Sequence, residues 1–256
     1  MPISKNGRPI STIEEWQQRA PPKAVHHWVD GRSAKEVARA WLSASSTAYP
    51  TEVQFALVEH PKFGPVLSWE CEPEAKLPFD SFPGEPRNSD LAISATDSFG
   101  TYVLAVEAKA DEPYGETVAE TFSAALERGI ENQRSNGIAR IQGLAAFLFR
   151  PRAASPKVGG LRYQLLTACA GAAAEATRRQ ASRAVMLVHE FITPATQDVN
   201  HERNASDLLQ FLHRLGGKPI EGFKDGQLYG PFSLPGAPGV ELFVGKVKRT
   251  LRPDHA

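Results

Sequence analysis

Two stretches of the chain alternate between apolar and polar positions, with a short polar break between them. From Asp90 onward, Leu91, Ile93 and Ala95 alternate with small or polar residues, and Tyr102 to Val106 is an apolar run leading into Glu107-Ala108-Lys109. The break, Asp97-Ser98-Phe99-Gly100, has the composition of a turn, so the pattern predicts a β-hairpin. A turn centred near Ser98 and Phe99 sets Asp90 opposite Glu107 or its neighbour. Glu107 and Lys109 are two apart, so their side chains leave the same face of the strand. Two carboxylates and one ammonium thereby converge at one end of the hairpin.

The flanking pattern is mostly helical. A short helix over 11–19, with a cap within Ser11-Thr12-Ile13-Glu14, runs into a linker at Pro21-Pro22. Ser33 and Glu36 have capping-box spacing and open a helix to about Ala44 whose apolar face is Val37, Ala38, Ala40 and Trp41. A helix from Thr51 precedes a strand from Pro65, on which Glu70, Glu72 and Glu74 alternate and share one face. Helices are expected over 116–129, 136–149 and 161–178. Ala184 to Ile192 is almost continuously apolar, which marks a buried central strand. A helix over 205–215 follows, and 219–251 reads as loop and short strands. The order is α/β: a sheet antiparallel through its first three strands, extended in parallel through a helical crossover. Residues 1–24 are expected as an arm and linker, 25–192 as the core, and 193–256 as a C-terminal extension packing on it.

Composition narrows the class. No apolar run is long enough to span a membrane, and the N-terminus lacks the apolar segment of a signal peptide. Cys71 and Cys169 are far apart and outside CxxC spacing, which argues against zinc or disulfides and suits a reducing cytoplasm. Adjacent His26 and His27 diverge on any regular element, so packing or surface roles are expected for them. Lysine plus arginine balance aspartate plus glutamate at 29 each, which alone argues against nucleic acid. The distribution differs from the total. Residues 52–120 hold fourteen acids against four bases, whereas 128–183 hold ten bases against two acids. Either these are solvated helix faces, or an acidic cation-binding half adjoins a basic phosphate-binding half formed by Arg128, Arg134, Arg140, Arg150, Arg152, Lys157 and Arg162.

The spacing of Asp90 to Glu107-Ala108-Lys109 across a hairpin resembles the PD-(D/E)XK nuclease superfamily, with Ser89 where the motif often carries proline. HHWVDGRSAKEVARAW, EAKADEPYG, RYQLL and AVMLVHEF further resemble the restriction-endonuclease-like DUF6946 family, whose function is unknown, over most of residues 25–192. The resemblance implies an αβββαβ core with a mixed central sheet flanked by helices. It also implies a Mg²⁺- or Mn²⁺-dependent nuclease acting on nucleic acid, DNA foremost, with a homodimer as one assembly. Asp90 and Glu107 would hold the metal and Lys109 would handle the water or the developing charge. Gln164, on the helix after the Glu-x-Lys strand, either orients the attacking water or is an ordinary polar residue at a helix start. Glu74 or Glu72 either adds a third carboxylate or keeps an edge strand soluble. Asp111 and Glu112 either support a second metal, pair with arginine, or cap a helix. Glu36 stands where this fold often has an extra acid, although its spacing favours a cap. The rival to an enzyme is a nucleic-acid- or protein-binding module on the same fold.

Overall fold

The hairpin forms as its alternation requires. In the computed structural model, which describes residues 3–24, 27–45, 47–83, 86, 88–151 and 156–251, β4 (Asn88–Asp97) and β5 (Gly100–Lys109) pair antiparallel from Leu91↔Val106 to Asp97↔Gly100. The turn is two residues long, and Gly100 leaves it at φ +107°, a conformation that costs glycine little. β3 (Ser68–Lys76) flanks β4 antiparallel. On the other side β5 pairs parallel with β6 (Arg183–Ile192), and β6 with β8 (Glu241–Thr250). β7 (Gln227–Ser233) closes the six-stranded mixed sheet in the order β3-β4-β5-β6-β8-β7. β1 (Ser4–Lys5) and β2 (Arg8–Pro9) form a separate two-stranded ribbon.

β6 is buried on both faces, which its unbroken apolar run requires. One face packs against α4 (Val118–Glu131), α5 (Gly137–Leu148), α6 (Tyr163–Arg178) and α7 (Asp198–Gly216). The other packs against α1 (Ile13–Arg19), α2 (Ser33–Leu42) and α3 (Thr51–Val58). The β5–β6 crossover carries α4, α5 and α6, so α6 lies over the carboxyl ends of the parallel strands. Alanines line its buried side, and Gly171 approaches so closely that an added Cβ would sit 2.9 Å from the Leu77 carbonyl oxygen.

Two expectations change. The last of the short strands expected in 219–251 is longer than read and is part of the central sheet: β8 pairs along all of β6. The Gly- and Pro-rich flanks of 219–251 gave no sign of its length or of its parallel partner. The Ser33–Glu36 capping box does not form: Arg32 is the N-cap without a side-chain cap bond, and buried Glu36 instead accepts from the Gly31 N–H (2.9 Å) and pairs with Arg39 (2.7 Å). A capping box does form at Thr117 and Glu120, opening α4.

Buried ion pairs tie the layers together. At the hairpin turn Asp97 accepts from Arg183 at 2.7 and 3.0 Å and from the Gly64 and Phe99 N–H groups. On the α3 side, Trp41 Nε1 donates to His189 Nδ1 (3.4 Å), which leaves the proton on Nε2 to donate to Glu52 Oε1 (2.7 Å). Arg249 also donates to Glu52, at 2.7 and 3.0 Å. Burial opposes the Glu52 charge, but the bonds from His189 and Arg249 outweigh it and hold its carboxyl at about 2.

Asp97→Ala leaves the Arg183 guanidinium buried without its carboxylate, so urea unfolding should show a loss of about 3–5 kcal/mol. Glu52 gives a pH signature. Its folded-state value lies below the ordinary one, so its stabilising contribution is complete above about pH 4.5 and is lost as pH falls toward about 2. Glu52→Gln should flatten this limb in urea titrations run across that window.

Candidate functional site

One residue beyond the last pair, Leu91↔Val106, the hairpin register sets Asp90 opposite Glu107, and Glu74 stands across from Asp90 between the Pro73↔Leu91 and Ala75↔Ser89 pairs. Leu91 and Val106 point into the α1–α3 layer, so Asp90 and Glu107 point to the α6 side. Glu107 and Lys109 end β5 on that face, and Gln164 in the first turn of α6 reaches down to them. All five residues, Glu74, Asp90, Glu107, Lys109 and Gln164, line one cleft of about 330 Å³. Pro22, Lys23, His27, Ser33 and Ala34 supply its N-terminal wall.

Lys109 is 7% exposed and Glu107 3%. The Lys109 ammonium lies 3.1 Å from Glu107 Oε1 and donates to Gln164 Oε1 at 3.2 Å, while Gln164 Nε2 donates to Glu107 Oε1. The Gln164 amide therefore bridges both charges and fixes the lysine beside its carboxylate. Beneath them the Tyr114 ring lies 5.4 Å from the ammonium. Tyr114 is fully buried, and burial together with Glu190 and Glu107 pushes its phenol well above its ordinary value.

Asp90 accepts from the Ala108 N–H at 2.6 Å, which locks its carboxylate across the end of β5. Although partly exposed to the cleft, it has protein packed around it. Burial, then repulsion from Glu107 and from Glu74, raise its carboxyl well above the usual range, against the pull of Lys109. Glu74 is raised in the same direction, by burial and by Glu107, with the Asn88 bond and Lys5 offsetting part of it. This crowding of carboxylates costs stability in the bare protein and would be relieved by a cation.

The donor set is carboxylate-rich, and Asp90 and Glu107 are hard oxygen donors suited to Mg²⁺ or Mn²⁺. Glu74 sits at φ +48° and accepts from Asn88 Nδ2 at 3.1 Å. Among the described residues no group of three or more His, Cys, Asp or Glu is gathered to hold a metal. Glu72 turns away to pair with Lys5 (3.0 Å).

Other expected residues have structural partners. Asp111 pairs with Arg32 (2.7 Å) and accepts from the Gln197 N–H and the Asn200 side chain, so it caps α7. Glu112 accepts from Ser33 Oγ and the Ala110 N–H and lines the cleft. Of the basic residues, Arg140 is paired with Asp80 (2.9 Å) and Arg162 with Asp207 (2.9 Å). Arg128, Arg134, Arg150 and Lys157 are exposed. His26 and Arg152 lie outside the described residues. His27 is exposed at the cleft. Lys23, Asn88 and Tyr114 also surround the site; Lys23 and Asn88 stand in no motif, and Tyr114 falls within EAKADEPYG without being singled out by it.

The fold and cleft define a mixed α/β protein with a carboxylate–lysine centre at the carboxyl end of its antiparallel hairpin. Residues 9–251 match the family model described as Domain of unknown function (DUF6946), and the chain belongs to that family. No curated protein and no solved structure matches it. Among the described residues no helix is long and apolar enough to cross a membrane.

Asp90→Asn keeps the acceptor for the Ala108 N–H and removes a carboxyl whose ionisation burial and Glu107 oppose. In metal-free protein near neutral pH it should stabilise the fold by about 0.5–2 kcal/mol in urea unfolding, the size of a typical stabilising substitution.

Proposed function

We propose that this protein is a Mg²⁺- or Mn²⁺-dependent nuclease of the PD-(D/E)XK type, hydrolysing phosphodiester bonds of nucleic acid. The observation that carries the proposal is the convergence of Asp90, Glu107 and Lys109 with Gln164 in one cleft. Asp90 and Glu107 would hold the cation. Two carboxylates suffice for Mg²⁺, which keeps several waters and takes further oxygens from phosphate. A divalent ion there would polarise the phosphoryl oxygen and acidify a water.

The remaining work falls to the chain. Lys109 presents an ammonium to charge developing on a phosphate oxygen, or orients the attacking water. Gln164 is a positioning residue: it holds Lys109 against Glu107, so the ammonium points at the cleft. Asp90 is oriented by the Ala108 N–H, which fixes the distance between the two strands' carboxylates. A second reading, a binding module without catalysis, draws on the enclosure of Glu107 and Lys109, which are paired with each other and 3% and 7% exposed.

Lys109→Met tests the assignment while keeping the length and apolar stem. Because Lys109 is buried beside Glu107, the variant should lose stability, more than an exposed strand-end lysine would. Mn²⁺ binding measured by calorimetry should persist, and cleavage should fall by about 10²-fold or more. Glu107→Gln should lose Mn²⁺ binding and cleavage together. Parental cleavage by folded Lys109→Met would refute the role of the lysine.

A further inference from the structure

A second cavity of about 480 Å³ opens beside the carboxylate cleft and shares Lys23, Asn88 and Gln164 with it as a common wall. Its lining differs from that of the cleft. Phe79 and Tyr163 present aromatic surface, Pro78 and Pro86 add to the apolar wall, and Asp80 and Glu116 lie among its polar lining. The loop carrying Phe79 is held in place from two sides. Gly171 lets α6 come up against Leu77, and Arg140 clamps Asp80 and the Phe82 and Pro83 carbonyl groups. The volume falls within the range of small-molecule sites, roughly 300–1,000 Å³, and is ample for one nucleoside.

We propose that this cavity takes a single unstacked nucleobase whose phosphate lies at Lys23, so that the preferred substrate is single-stranded nucleic acid. The proposal rests on the nuclease reading of the neighbouring carboxylates and deepens it to a substrate class. Lys23 stands at the junction of the two cavities, is exposed, and makes no ion pair among the described residues. Its charge already acts on Glu74. An ammonium there meets a phosphate whose base enters the aromatic side and whose next linkage reaches Asp90 and Glu107. A base in duplex must leave its stack and its partner to enter such a pocket, and that cost is least in a single strand.

The cavity's polar groups also say how the base is recognised. Arg140 is committed to Asp80 and backbone carbonyls, the Thr121 hydroxyl donates to the Thr117 carbonyl, and the Thr167 hydroxyl donates to the Gln164 carbonyl. Both threonine hydroxyls keep acceptor lone pairs and Glu116 adds an exposed carboxylate, so base N–H groups find acceptors here, while stacking on Phe79 and Tyr163 tolerates any base.

The test measures binding in EDTA, where no cleavage occurs. Short fluorescein-labelled single-stranded DNA and RNA, and the matched DNA duplex, are titrated with the full chain and followed by anisotropy. A single-stranded DNA carrying 2-aminopurine reports stacking directly. The single strands should bind at least about tenfold tighter than the duplex, and 2-aminopurine fluorescence should be quenched. Phe79→Leu and Tyr163→Leu, checked for parental circular dichroism and melting, should each weaken single-strand binding by about tenfold and remove the quenching, leaving the duplex value unchanged. Lys23→Ala, at an exposed position, should weaken binding and lower its salt dependence even if a leucine variant fails to fold. Equal or tighter duplex binding, or parental single-strand binding by the folded leucine variants, overturns the proposal. Quenching without cleavage in Mn²⁺ would keep the base pocket and remove the nuclease reading. Duplex cleavage without quenching would do the reverse.

Discussion

Lys109 can lie buried at the end of β5 only because Glu107 and Gln164 hold it there. An unpaired ammonium at that depth would lose its charge or its place. Glu107 is equally dependent, since its own charge is shut from water and faces Asp90 and Glu74. The site is therefore a balance of one cation against several carboxylates. The amide of Gln164 sets its geometry, and α6 must sit over the strand ends for that amide to reach. The small residues of α6 and its close approach to Leu77 make that placement possible.

The rest of the sheet supports this arrangement from a distance. Asp97 and Arg183 lock the far end of the hairpin to β6, which fixes the register that sets Asp90 opposite Glu107. The Glu52–His189–Arg249 contacts bind α3 to β6 and β8 on the opposite face. Both are buried or half-buried charge pairs, and both hold layers in one position rather than adding much net stability.

The hairpin and its acids were legible in the sequence because a period of two and a glycine turn leave little freedom in register. Gln164 came only from the resemblance, against an ordinary polar residue at a helix start, and its side chain reaches Lys109 and Glu107. The remaining differences share a cause: side chains chose partners far away in sequence. Ser33 left its expected cap for Glu112, and Glu36 took the Gly31 N–H. Arg140 and Arg162, expected at the approach to the acids, are consumed by Asp80 and Asp207. The expected arm over 1–24 carries Lys5 and Lys23, which act on β3 and on the cleft. β8 was read only as a short strand, although its ten residues complete the parallel part of the sheet. Local pattern determined the elements, and long-range charge pairing determined which polar residues remained available to the site.

The most direct measurement is digestion of plasmid, linear duplex and single-stranded DNA and of RNA by purified protein in Mn²⁺ or Mg²⁺, with EDTA and Glu107→Gln as paired controls. The account predicts cleavage of at least one substrate by the parent, abolished by EDTA and absent in the folded Glu107→Gln protein. No cleavage of any substrate, or equal cleavage by Glu107→Gln, would contradict it.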